Sequence, residues 1–274
     1  MTSGVNSNTH PITGAEFRSI FKKIYTTMPP EEMEAKSFNR SQAKSNFPYI
    51  SFKQSEAVKL TYALKVMDRK NAVAAIFDAE GRPEVEAISS ANRRLKGMVD
   101  KGYLNFFKFG KPASHWYVLT EQSFQYLRRR PYNTEFSNRH MVRLNAVNQR
   151  FTALCDKYRK NHIIDWETEP VVSSLNNHKI EWRPTAVAVV WEDKTKTKAV
   201  EAHIYETLKS TFVEDQLLEI ERLQEKYANT NVWRYFPVTP DVVLVNTDNS
   251  EELKLIENKE VVASQSEIEK WLGL

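Results

Sequence analysis

The sequence predicts an α+β chain in two parts: a basic N-terminal unit of helices closed by a two-stranded hairpin, then an acidic three-layer α/β domain on a mixed sheet. Three observations predict it. A cationic amphipathic helix near 88–101 stops at a glycine and runs into a strand–turn–strand segment. The net charge changes sign near residue 130. Beyond that point short apolar strands alternate with long amphipathic helices.

The elements follow in order. Residues 1–13 are polar and predict a disordered start. Residues 15–28 predict a helix with Phe17, Ile20, Phe21, Ile24 and Tyr25 on one side, and 29–49 a polar linker; together 1–50 precede the first domain. A helix over 56–67 carries Val58, Tyr62, Leu64 and Val66, and a shorter apolar segment spans 72–77. At 100° per residue, Ala91, Leu95, Met98 and Val99 fall within about 60° of one direction, a narrow apolar stripe. Ser90, Arg93 and Gly97 point the opposite way, flanked by Ser89, Arg94, Lys96 and Lys101. Gly102 supplies a left-handed cap, residues 104–109 a strand, 110–114 a turn, 115–120 a returning strand and 121–130 a helix. Helix, helix, basic helix, wing, helix is the order of a winged helix-turn-helix, placed at 51–130.

Pro131-Tyr132-Asn133-Thr134 predicts an interdomain hinge. The second domain, 135–274, opens with a long helix over 138–160. Strands follow at 163–166, 181–191 and 199–205, a helix at 212–227, strands at 231–236 and 242–245, and a last helix after the capping box Ser264-Gln265-Ser266-Glu267. Trp182, Trp191 and Trp233 are expected in core or sheet packing, and Lys194, Lys196 and Lys198 on a solvated hairpin.

Charge points to a partner. Residues 51–130 hold 15 Lys and Arg against 8 Asp and Glu, a net of +7, whereas 131–274 hold 18 against 23, a net of −5. The overall +4 therefore hides a basic module beside an acidic one, as expected where one domain neutralises phosphates. A helix buried on one side and small, polar and cationic on the other suits the DNA major groove. Ser89, Ser90, Arg93 and Lys96 are the expected base contacts, and Arg94, Lys101, Lys108, Lys111 and His115 the expected phosphate contacts. Glu80, Glu84 and Glu86, just ahead of this helix, oppose phosphate unless they cap it or face away.

Other classes are disfavoured. One cysteine excludes an internal disulfide framework and a cysteine-based zinc site, and Cys155 falls on an apolar helical stripe. Seven glycines, with no phosphate-cradling loop, dinucleotide fingerprint or nucleophile elbow, argue against nucleotide and hydrolase chemistry. The six histidines never pair at metal-ligand spacing. No apolar run reaches the length of a membrane span and the polar start lacks a signal-peptide core, so a cytoplasmic protein without membrane contact is expected.

The chain resembles the replication-relaxation family of plasmids and mobile elements over about residues 52–230. Three places carry the resemblance: Arg93-Arg94-Leu95 through Val99, Gly102 and Leu104, with Tyr117-Val118-Leu119-Thr120; Arg139 to Asn148; and Trp166-Glu167, then Arg183-Pro184 and a strand bearing Glu201. The resemblance implies a nuclease-like second domain, similar to restriction-endonuclease folds, in which an Asp after a Pro and a Glu-x-Lys hold Mg²⁺. Here Thr185 follows Pro184 and Glu201-Ala202-His203 replaces Glu-x-Lys, which implies a degenerate, inactive site. The expected function is double-stranded DNA binding in replication, transfer or transcription control of a plasmid, phage or other mobile element, without catalysis or cofactor. A homodimer or a replication or transfer complex would be a further partner. One alternative is a metal-dependent DNA endonuclease or nickase using Glu201, with His203, Asp165 and Mg²⁺. A second is a protein–protein assembly factor using the winged helix.

Overall fold

The computed structural model describes residues 16–17, 47–77, 84–109, 114–129, 131–158, 162–170, 182–229, 232–248 and 251–274. The helix expected at 15–28 lies outside the described residues except at 16–17, as do Glu80, Lys111, most of the turn 110–114 and most of the linker 29–49. Phe17 is buried, with its ring 6.4 Å from that of Trp191 and 5.7 Å from that of Phe236.

Helix α1 spans Phe52–Leu64 and begins four residues earlier than the apolar spacing suggests. The reason is a capping box: Ser51 accepts from Gln54 N while the Gln54 side chain accepts from Ser51 N. The helix ends at Lys65, whose φ of 59° breaks the helical path. Met67 and Asp68 therefore form a short strand, β1 (Met67–Asp68), rather than the expected continuation of the helix. Asp68 then caps α2 (Arg69–Ala72) through a second box with Asn71, and a π-helical turn covers Val73–Phe77. Helix α3 (Glu84–Asp100) buries Ala87, Ala91, Leu95 and Met98. Gly102, with φ 77°, turns the chain into β2 (Leu104–Phe109), which pairs antiparallel with β3 (Ser114–Leu119). The three strands lie in the order β1-β3-β2, and α4 (Glu121–Leu127) follows.

Helix α5 (Asn138–Lys157) leads into a mixed six-stranded sheet. Its strands are β4 (Ile163–Thr168), β5 (Ala186–Trp191), β6 (Ala199–Glu206), β7 (Asp241–Val245), β8 (Glu252–Glu257) and β9 (Glu260–Val261), adjacent in sequence order. Only the β6–β7 pair is parallel, and α6 (Val213–Ala228) lies between these two strands in sequence. Within the expected strand at 231–236 the structure has instead a 3₁₀ turn over Val232–Tyr235; Val232 in it and Phe236 just after it are buried, four residues apart as on one side of a helical turn. Strand β5 starts at Ala186 rather than 181, because Pro184 has no amide hydrogen and Thr185 N is committed to the Glu206 side chain. Helix α7 (Gln265–Leu272) starts at the Ser264 capping box.

Successive residues on the strands face opposite layers. Ala186, Ala188, Val190, Tyr205, Val243 and Val245 pack with Val147, Phe151 and Leu154 of α5. Val187, Val189, Trp191, Ile204, Val242 and Leu244 pack with Ile220 and Tyr227 of α6 and Ile268 of α7. The domain is thus three-layered.

The two parts share one core. Ala57, Leu64, Leu95, Met98 and Leu119 cluster with Val147, Phe151 and Trp166. Asn148 Nδ2 donates to Leu64 O at 3.0 Å and Val66 O at 2.6 Å, and Asn71 Nδ2 donates to Asn148 O and Thr152 Oγ1. The expected hinge at 131–134 is packed: the Tyr132 ring lies 4.9 Å from Phe124 and 5.6 Å from Tyr62, and its hydroxyl donates to Thr61 O. Burial, followed by the neighbouring Tyr62 and Glu169, raises the Tyr132 hydroxyl well above the ordinary tyrosine range.

Candidate functional site

The arc of α3 opposite its buried stripe is exposed at Ser89, Asn92, Arg93 and Lys96, with Ser90 half-buried. Lys96 Nζ pairs with Asp100 Oδ2 at 3.2 Å on the same surface, an exposed pair of small energetic weight. Glu84 and Glu86 occupy the first turn of α3, where a negative charge complements the helix dipole.

Two expected phosphate contacts are engaged elsewhere. Arg94 Nη1 donates to Ser51 Oγ at 3.1 Å, and Lys101 Nζ donates to Tyr49 O at 2.5 Å. Both side chains tie α3 to the segment entering α1. Gly97 also faces α1, not open space: a Cβ there would lie 3.6 Å from Gln54 Nε2. Gln54 Nε2 in turn donates to Arg94 O. The free arc is therefore narrower than the helical wheel implies and is turned toward the hairpin.

Between this arc, the start of α2 and the hairpin lies a cleft of about 640 Å³, lined by Asn92 and Lys96 of α3, Arg69 and Lys70 of α2, and Lys108 and His115 of the hairpin. Its carboxylates are committed: Asp68 accepts from Asn71 N and from Gln149 Nε2, and Asp100 holds Lys96. Arg69 and Lys70 are exposed and have no carboxylate partner among the described residues. Phe106 and Phe107 on β2 remain 44% and 41% exposed, and the Phe106 ring meets His115 edge-on at 5.3 Å. Phe106 lines this cleft, and an electropositive cleft with an exposed ring is competent to hold a polyanion carrying planar groups. Sequence reasoning missed Arg69, Lys70 and Asn92. The Asp68-Arg69-Lys70-Asn71 run was the available signal, since an Asp cap places the next two side chains at a helix start.

Of the residues of the endonuclease alternative, Glu201 and His203 come together, but Asp165 does not join them. Glu201 pairs across the sheet with Val190 and lies on the α5 side, where it takes Lys157 Nζ at 2.8 Å and has His203 Nε2 at 3.1 Å. Burial raises the Glu201 carboxyl, but the contacts with His203, Lys157 and Tyr158 outweigh it and hold it at about 2. Asp165 is on the opposite face, accepting from Trp191 Nε1 and Lys196 Nζ. Thr185 lies at the other end of the β5–β6 pair, and the acid beside it is Glu206, not Glu201. Glu206 accepts from Thr185 N, Thr185 Oγ1 and Tyr227 Oη, with Lys226 Nζ 3.5 Å away. A carboxylate so filled with donors does not fit the role of a Mg²⁺ ligand. Among the described residues no three His, Cys, Asp or Glu side chains gather as a metal site.

Burial pushes the Cys155 thiol up to about 12, which leaves it a core residue rather than a nucleophile. No helix among the described residues is long and apolar enough to cross a membrane. No family model, curated protein or solved structure matches this chain.

Proposed function

We propose that the chain is a double-stranded DNA-binding protein whose N-terminal unit is a winged helix-turn-helix, with α3 as the recognition helix and the β2–β3 hairpin as the wing. The observation that carries this reading is the exposed arc of α3 beside a cleft lined mainly by cations, whose two carboxylates already hold donors. Ser89, Asn92, Arg93 and Lys96 supply base contacts. Arg69, Lys70, Lys108 and His115 supply phosphate contacts, in place of Arg94 and Lys101. The resemblance to the replication-relaxation family supports a role in replication, transfer or transcription control of a plasmid, phage or other mobile element.

The test is titration of a selected duplex and a random duplex over a range of salt. Arg93→Ala is expected to lose about 1–3 kcal/mol on the selected duplex and to relax base preference. Lys108→Ala is expected to weaken both duplexes alike and lower the slope of log affinity against log salt by at most about one. Salt-insensitive binding, or none, refutes the reading.

A further inference from the structure

A second polar cavity, of about 300 Å³, lies away from α3 where the end of α1, the first turns of α5 and the β5–β6 end of the sheet meet α6. Each of its acids already accepts hydrogen bonds or pairs with a cation. Glu169 Oε1 and Oε2 each lie 2.7 Å from a cation or ring nitrogen, His140 Nε2 and Lys65 Nζ respectively. Glu206 holds Thr185, Tyr227 and Lys226 as described. Glu219 Oε2 accepts from Lys209 N at 2.8 Å and from Ser210 N.

Two of the cations lining it, Arg143 and Lys209, are not saturated among the described residues. Arg143 is half-buried, yet its only hydrogen bond among the described residues runs from Nε to Thr207 Oγ1 at 2.8 Å, leaving both terminal nitrogens without a partner. Burial lowers the Arg143 pKa, against the pull of Glu169, Glu206 and Glu219. Lys209, at the rim, has an ammonium group without a carboxylate partner among the described residues. Lys226 reaches Glu206 only at 3.5 Å and spends part of its charge over the Tyr227 ring, 4.7 Å away. A partly desolvated guanidinium with two open terminal nitrogens beside an ammonium without a carboxylate partner calls for an anion, and its planar fork matches two oxygens of one tetrahedral group. The Thr185 and Thr207 hydroxyls, 3.3 Å apart, stand beside it as further hydrogen-bonding groups.

We propose that this cavity binds a phosphate monoester dianion, with Arg143 as its bidentate anchor and Lys209 closing the rim. The site does not rest on the DNA reading of α3. The same chemistry has two sources, a small phosphorylated metabolite or the 5′-phosphate end of a nucleic acid strand.

The experiment titrates the full chain with inorganic phosphate, ribose 5-phosphate, and a six-nucleotide thymidine strand with either a 5′-phosphate or a 5′-hydroxyl, followed by calorimetry. Binding of at least one phosphate ligand is expected. It should weaken at least tenfold in Arg143→Gln and several-fold in Lys209→Ala, whose exposed side chain leaves the fold intact, and be unchanged in Lys194→Ala, an exposed lysine that lines neither cavity. Preference for the phosphorylated over the hydroxyl strand, lost in Arg143→Gln, assigns a strand end. Tighter binding of ribose 5-phosphate, with no such strand preference, assigns a small ligand. Absence of phosphate binding overturns the proposal, as does binding indifferent to both Arg143→Gln and Lys209→Ala. Phosphate-independent Mg²⁺ binding that disappears in Glu206→Gln also overturns it.

Discussion

Asn71→Ala tests whether the two parts of the chain form one cooperative body. The side chain is fully buried, and three hydrogen bonds depend on it. Its Oδ1 accepts from Asp68 N at 2.9 Å, and its Nδ2 donates to Asn148 O at 2.9 Å and Thr152 Oγ1 at 2.8 Å. At a net of about 1 kcal/mol each, their loss costs about 3 kcal/mol. The Asp68 amide, buried and left without an acceptor, adds about 1–2 kcal/mol. A total near 4 kcal/mol lowers Tm by roughly 8–16 °C in a chain of this size. The assay is urea unfolding followed in parallel by far-ultraviolet circular dichroism and tryptophan fluorescence. Coincident single transitions are expected in both proteins. A loss below about 1 kcal/mol, or two transitions of which only one moves, would refute the shared core. Asn71→Asp keeps the acceptor, loses both donors and sets a second carboxylate beside Asp68, so its deficit should exceed that of alanine at neutral pH and shrink on acidification.

Glu169 gives a pH dependence with a defined sign. Burial raises its carboxyl, but His140 and Lys65 outweigh that and hold it at about 2, below its ordinary 4.5. A depressed folded-state pKa contributes stability that is full above the unfolded value and lost as pH falls from about 4.5 toward 2; Glu169→Gln should flatten that part of the stability–pH curve, and an unchanged slope would show the carboxylate to be immaterial. Gly102→Ala forces a Cβ into φ 77° at 3.1 Å from Gln122 Oε1, and should cost about 1–2 kcal/mol by thermal melting. With Mg²⁺ or Mn²⁺, supercoiled plasmid should stay intact. Nicking abolished by Glu206→Gln would refute the saturated-carboxylate argument, and nicking abolished by Glu201→Gln would restore the alternative drawn from the sequence.

The basic helix was legible because its stripe of Ala91, Leu95 and Met98 has one periodicity and one reading. Which of its cations stay free was not. Arg94 and Lys101 are claimed by Ser51 and Tyr49, some forty to fifty positions away, and helical geometry carries no information about such partners. Both limits of α1 were missed for local reasons. The Ser51–Gln54 box extends α1 backward, and the left-handed Lys65 releases Met67 to pair with Tyr117 of β3. Strand β8 escaped notice because Glu252, Lys254 and Glu257 interrupt its apolar residues; Leu255 and Ile256 supply its fully buried pair. The packing of the expected hinge has another cause. Proline and asparagine mark a break between helices, and Tyr132 between them is an aromatic with a core to enter.

The candidate acids show how strand direction decides chemistry. A proline-led position at the start of one strand and an acid early on the next look close when read along the sequence. In an antiparallel pair the start of one strand lies beside the end of the other. Ala186 faces Tyr205 and Val190 faces Glu201, so the acid that meets Thr185 has to come from the end of β6, where Glu206 stands. Alternation of faces then removes Asp165 from Glu201, since one bonds Trp191 in the α6 layer and the other Lys157 on α5. The polar end of the sheet holds acids that already accept hydrogen bonds and an arginine whose terminal nitrogens have no partner among the described residues, the arrangement on which the proposed anion site rests.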